Sequence, residues 1–166
     1  MSINFFEAKC QDYSNRKLFG LRDDILGQRA RIDENNGATW IAVVVNEYLY
    51  NVTFTAVDNC IETRRRNGKM DKRCEGFLTF GSSIIFVELK KRGSLGNDWV
   101  LESEKQLKTT IDYFKASNDL EDYEDKDAYI SNSEHPKIKE SQRRRMEQFL
   151  SDTGFVLHIM NRIILI

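Results

Sequence analysis

Two adjacent runs, EGFLTF at 75–80 and SIIFVELKKR at 83–92, constrain this chain more than any other feature. Both are rich in β-branched and aromatic residues, and Gly81-Ser82 between them suits a tight two-residue turn, so a β-hairpin is expected. Side chains alternate along a strand. Phe86, Glu88 and Lys90 therefore share one face of the second strand, with Ile85, Val87 and Leu89 on the other. With Phe80 opposite Ser83, paired positions sum to 163, which sets Glu75 across from Glu88 on the same face. Their Cβ atoms would be about 5 Å apart. Opposed carboxylates repel and raise each other's proton affinity unless a cation lies between them. All-oxygen ligation with room for water and a phosphate oxygen suits Mg²⁺ or Mn²⁺ better than zinc. Lys90, two residues on, would meet an attacking water and a scissile phosphate.

Glu-x-Lys occurs three times: at Glu7-Ala8-Lys9, Glu88-Leu89-Lys90 and Glu124-Asp125-Lys126. Only the second ends an apolar strand, faces a register-matched acid and precedes a helix carrying Gln106. The plainer reading is an exposed hairpin face with Glu75 solvated by Arg73 or Lys72.

The rest of the chain frames this hairpin. At 166 residues one domain with a real core is expected over 1–166. The formal net charge is −1, so any attraction to nucleic acid must be local. No apolar run is long enough to span a bilayer, and the opening residues lack the pattern of a secretion signal. Cys10, Cys60 and Cys74 are widely spaced, and the two histidines, His135 and His158, lie far along the chain. Neither a disulfide scaffold nor a zinc site is expected, and a reducing cytoplasm fits best.

Leu18, Leu21, Ile25 and Leu26 predict a helix within 15–28. TWIAVVV and VTFTAV read as a hairpin, with a helix over 40–50 as the alternative. Residues 99–114 predict a helix with Leu107, Ile111 and Phe114 on one face and a Glu104–Lys108 pair outside. The acidic run 118–127 reads as a solvated loop and 128–133 as a strand. A helix over 138–150, ended by Gly154, and a terminal hairpin around Asn161-Arg162 complete a mixed α/β (α+β) domain.

The run RCEGFLTF and SIIFVELKKR, followed by EKQLKTTIDYF, resembles the core of the restriction-endonuclease-like PD-(D/E)xK nuclease superfamily over roughly residues 38–133. That resemblance implies an α-β-β-β-α-β core, a central mixed β-sheet flanked by helices, that cleaves phosphodiester bonds with a metal on its hairpin. It matches Glu75 to the first motif acid, which is more often Asp. Glu88 matches the second acid, Lys90 the motif lysine, and the Leu89 backbone carbonyl would be a further metal ligand. Gln106 and Tyr113 are similar to a Gln…Tyr pattern on the helix that follows.

The stretch Arg64, Arg65, Arg66, Lys69, Lys72 and Arg73, with Lys91 and Arg92 on the other strand, would flank this site. Such clusters hold nucleic-acid phosphates through counterion release, although a charge run is more often a solvated face. Asp58 is a candidate additional acid whose plainer reading is a strand-end or helix-cap Asp, and Asp71 is out of register with Glu88. Trp99 and Cys74 read as core residues, His158 as a satisfied or surface histidine, and Arg143 to Arg145 as the outer face of a helix. The expected function is a Mg²⁺- or Mn²⁺-dependent nuclease, with DNA favoured over RNA and a homodimer or protein partner to supply specificity. The rival readings are an inactive nuclease-fold module working in binding, immunity or regulation, and a hydrolase of small phosphorylated compounds.

Overall fold

The computed structural model describes residues 2–91, 98–134 and 142–166. Its strands are β1 (Gln11–Ser14), β2 (Leu18–Arg22), β3 (Arg31–Asp33), β4 (Ala42–Val45), β5 (Val52–Ala56), β6 (Gly76–Phe80), β7 (Ser83–Lys90), β8 (Asp125–Asn132), β9 (Val156–Ile159) and β10 (Arg162–Ile164). Two helices, α1 (Asp98–Ser117) and α2 (Arg143–Thr153), lie on either side of β8 in the chain. The result is a mixed α+β architecture of two sheets.

The larger sheet runs β1-β5-β6-β7-β8-β9 and the smaller β10-β4-β2-β3. In the larger one β5, β6 and β7 form an antiparallel meander, after which β8 and β9 add in parallel. Parallel neighbours need a crossover, and α1 and α2 supply both. Helices cover one face, where Phe77, Ile84, Phe86 and Ile130 pack with Leu107, Ile111, Phe114 and Phe149. On the other face Leu78, Ile85, Val87 and Leu89 meet Phe19, Leu21, Val44 and Ile163 of the smaller sheet. Strand β7 is thus apolar on one side from Ile85 to Leu89 and buried on both faces up to Leu89, as a central strand must be.

The β6–β7 hairpin has the expected register, with Phe80 opposite Ser83 and Gly76 opposite Val87. Gly81 turns it with φ +51°. Helix α1 spans the expected residues, and Gly154 ends α2 at φ +80°, its N–H donating to Leu150 O. The start expected for α2 falls at 138, outside the described residues.

Several expectations fail, among them the end of the loop expected over 118–127, where β8 already begins at Asp125. The segment expected to be helical within 15–28 holds strand β2, whose Phe19 and Leu21 enter the core while Leu26 is fully exposed. The spacing of its leucines fits either period over so short a run, and pairing with β3 and β4 decides it. Gly20 belongs to that outcome, since a methyl there would run into the Trp40 ring.

The runs at 40–56 do not pair with each other, because β4 joins the smaller sheet and β5 the larger. Asn46, fully buried at the corner, donates to Arg16 O and Tyr50 O and accepts from the Tyr50 N–H, turning the chain from one sheet to the next. The terminal runs part in the same way: β9 lies beside β8, and β10 runs parallel to β4. Asn161 makes that crossing, its side chain accepting from Asn132 N and its carbonyl from Val43 N.

Finally, Cys10 and Cys60 form a disulfide. Spacing hid it, because the topology brings the start of β1 back beside the turn after β5. A disulfide removes the argument for a reducing compartment. Among the described residues no helix is long and apolar enough to cross a membrane.

Candidate active site

Glu75 and Glu88 come together because the hairpin register continues one residue beyond the last ladder pair, Gly76 with Val87. Glu88 is 1% exposed. Its Oε1 accepts the Leu89 N–H at 3.2 Å, and its Oε2 has no hydrogen-bond partner. Native proteins rarely leave a buried carboxylate oxygen unmatched.

Lys90 projects from the same face of β7. Its Nζ lies 3.9 Å from Glu88 Oε2 and 3.7 Å from Glu102 Oε1, and it donates to Gln106 Oε1 at 3.0 Å. Leu89, between them, packs its side chain into the opposite core and pairs with Ser131 on β8.

Helix α1 also fixes the segment that delivers Glu75. Gln106 Nε2 donates to Arg73 O at 3.4 Å, Thr110 Oγ1 accepts the Cys74 N–H at 2.8 Å, and Tyr113 OH donates to Asp71 Oδ2 at 2.9 Å. Residues 106, 110 and 113 lie on one helical face, so the stripe grips the chain from Asp71 to Cys74. Tyr113 thereby acts on the approach to the site and not inside it.

Two more carboxylates share the electrostatics of this place. Burial, then Glu88, Asp23 and Asp58, push Glu75 up to about 10, and its protonated carboxyl donates to Asp23. Burial raises Glu88 to about 8 against the pull of Lys90 and the Leu89 N–H. Asp23 is raised as well, first by burial. Asp58 is bound to Arg73 at 3.1 Å. Without a metal ion Glu75 and Glu88 keep, at neutral pH, protons that an exposed carboxyl would have lost. Among the described residues no three His, Cys, Asp or Glu side chains are arranged as ready-made metal ligands. A metal here would rest on Glu75, Glu88 and backbone or solvent oxygen, a sparse set of the kind Mg²⁺ accepts. The orphaned Glu88 Oε2 fits that role.

The basic stretch divides. Arg73 turns inward to Asp58 and Ile61 O, with 14% of its side chain exposed, and so braces the site. Arg64 is held by Glu62 and Gly68 O, and Arg65 by Asp71 at 3.2 Å. Arg66, Lys69, Lys72 and Lys91 are exposed, while Arg92 lies outside the described residues.

Trp99 and Cys74 are core residues as expected. His158 is satisfied by Asp127 at 2.8 Å and stacks on Tyr129. Glu104 does not sit outside: it is 6% exposed, bound by Lys108 and by Arg145 at 2.8 Å, which turns Arg145 inward as well. Asp23 escaped sequence reasoning because it follows β2, where a helix was expected. The alternation of LFGLR was the signal that could have found it.

No protein-family model, curated protein or solved structure significantly matches this chain.

Proposed function

We propose that this protein is a metal-dependent nuclease that hydrolyses phosphodiester bonds, with DNA as its substrate. The buried Oε2 of Glu88, which lacks a hydrogen-bond partner and has only the Lys90 ammonium at 3.9 Å, carries the reading. Burying an ionisable oxygen without a hydrogen bond is costly, and a metal ion would supply the missing ligand contact. The strand order supports the same reading: β5, β6, β7, α1 and β8 follow one another as the β-β-β-α-β part of a restriction-endonuclease-like core. No α-helix precedes them among the described residues, and the smaller sheet occupies that part of the chain.

Glu75, Glu88 and the Leu89 carbonyl would hold Mg²⁺ or Mn²⁺, which would polarise the phosphate and acidify a water. Lys90 would orient the attacking water and offset charge developing on the phosphate. Gln106 keeps the Lys90 amino group pointing into the site, and Arg73 keeps Asp58 in place.

The test is cleavage of labelled single- and double-stranded DNA and RNA by wild type and Lys90→Ala, with Mg²⁺, Mn²⁺ or EDTA. Metal-dependent DNA cleavage by the wild type, lost in the variant although calorimetry still detects metal binding, is expected. Absence of wild-type cleavage with either metal would overturn the reading and favour the inactive binding module.

A further inference from the structure

Between β5 and β6 the chain makes a second, smaller two-stranded ribbon. Arg64 bridges Met70 in antiparallel fashion, Arg65 N–H donates to Lys69 O at 2.9 Å, and Asp71 N–H donates to Thr63 O at 2.7 Å. Asn67-Gly68 forms the tip, with Gly68 at φ +82°. The base is anchored: Ile61 and Thr63 are buried, and Asp71 is held by both Arg65 and Tyr113.

The charge on this ribbon and on Lys72, which follows it, is sorted. Arg64 and Arg65 are matched by Glu62 and Asp71, whereas Arg66, Lys69 and Lys72 are exposed and make no ion pair among the described residues. From its base the chain runs through Arg73 and Cys74 directly into Glu75.

From this geometry we infer that the 63–71 ribbon binds double-stranded DNA, entering the major groove and presenting the duplex to the Glu75–Glu88 site. The inference rests on the proposed nuclease function and adds the form of its substrate. Paired strands lie about 4.8 Å apart, and the B-form major groove, about 12 Å wide, admits such a ribbon. The major groove of A-form RNA is too narrow and deep for it. Single strands are held mainly by aromatic stacking, and residues 61–73 include no aromatic side chain. Three unmatched cations on a braced support suit a surface whose phosphates are regularly placed.

The test is fluorescence anisotropy of the full chain in EDTA, titrated onto duplex DNA, duplex RNA and single-stranded DNA of one sequence over a salt series. Wild type is expected to prefer duplex DNA. In R66A/K69A/K72A, affinity for it should fall roughly tenfold or more and the salt slope should become shallower by about 2 to 3. The thermal midpoint should be unchanged, and the charge-conserving R66K/K69R/K72R should recover binding. Equal affinity for the three nucleic acids, a preference for RNA or single strands, or an unaltered slope in the triple alanine variant would overturn the inference. The two readings fail separately. Duplex binding that needs the three cations, in a protein without metal-dependent cleavage, removes the nuclease and leaves the ribbon; duplex cleavage indifferent to those cations removes the ribbon and leaves the nuclease.

Discussion

Replacing Glu88 by glutamine keeps the shape of a fully buried side chain and deletes its titration. In the metal-free fold Glu88 is raised from 4.5 to about 8, first by burial. Between those values the folded protein keeps a proton that the unfolded chain has released. Stability therefore declines as pH climbs through that interval and levels off above it. Each unit corresponds to roughly 1.4 kcal/mol, so the decline attributable to Glu88 has a ceiling on the order of 5 kcal/mol, reached near pH 8. Urea denaturation in EDTA from pH 5 to 9 should show a wild-type midpoint that falls steeply and a Glu88→Gln midpoint that falls less, the remaining decline coming from Glu75, which burial raises to about 10. Added Mg²⁺ or Mn²⁺ should restore the wild type at pH 8, because the ion replaces the proton, and should do little for the variant. Parallel pH profiles, or equal stabilisation of both proteins by metal, would refute the reasoning.

Gln106→Ala removes the 3.0 Å bond to Lys90 and should lower kcat about tenfold in a steady-state cleavage assay, with KM nearly constant; the stability loss should be only about 1 kcal/mol. An unchanged kcat would show that Glu88 and Glu102 suffice to hold Lys90. The Cys10–Cys60 disulfide closes a separation of 50 residues, worth about 4 kcal/mol in the chain-entropy account. C10S/C60S should therefore unfold at lower urea than oxidised wild type, and a dithiol reductant should bring the two midpoints together.

The hairpin that carries the candidate site could be read from the sequence because three local signals agree there: alternation in SIIFVELK, turn chemistry at Gly81-Ser82, and a register that only one pairing satisfies. Each concerns residues near in sequence. What could not be read depends on distant partners. Whether AVVV and VTFTA pair with each other or go to separate sheets is settled by their pairing with β2 and β10 on one side and β1 and β6 on the other, strands that lie outside both runs. Asp23 reaches Glu75 only once the smaller sheet is in place, and Cys10 reaches Cys60 only through the β1–β5 pairing. The basic stretch was visible as charge, but the inward turn of Arg73 was not, because a string of cations does not say which of them finds an acid.

The crossing at Asn161 has a consequence for the order in which the molecule assembles. Strand β10 pairs with β4, so Arg162 must find Val43 across most of the chain. Closing so long a loop is slow unless something already brings its ends together. Strand β9, laid beside β8 and continuing straight into the crossing, provides that guidance. The β4–β10 pairing should accordingly form after the β8–β9 pairing, whereas β2, β3 and β4 lie nearer one another in sequence and can pair without it. The last strand to join would then be β10, closing the smaller sheet at its edge beside β4.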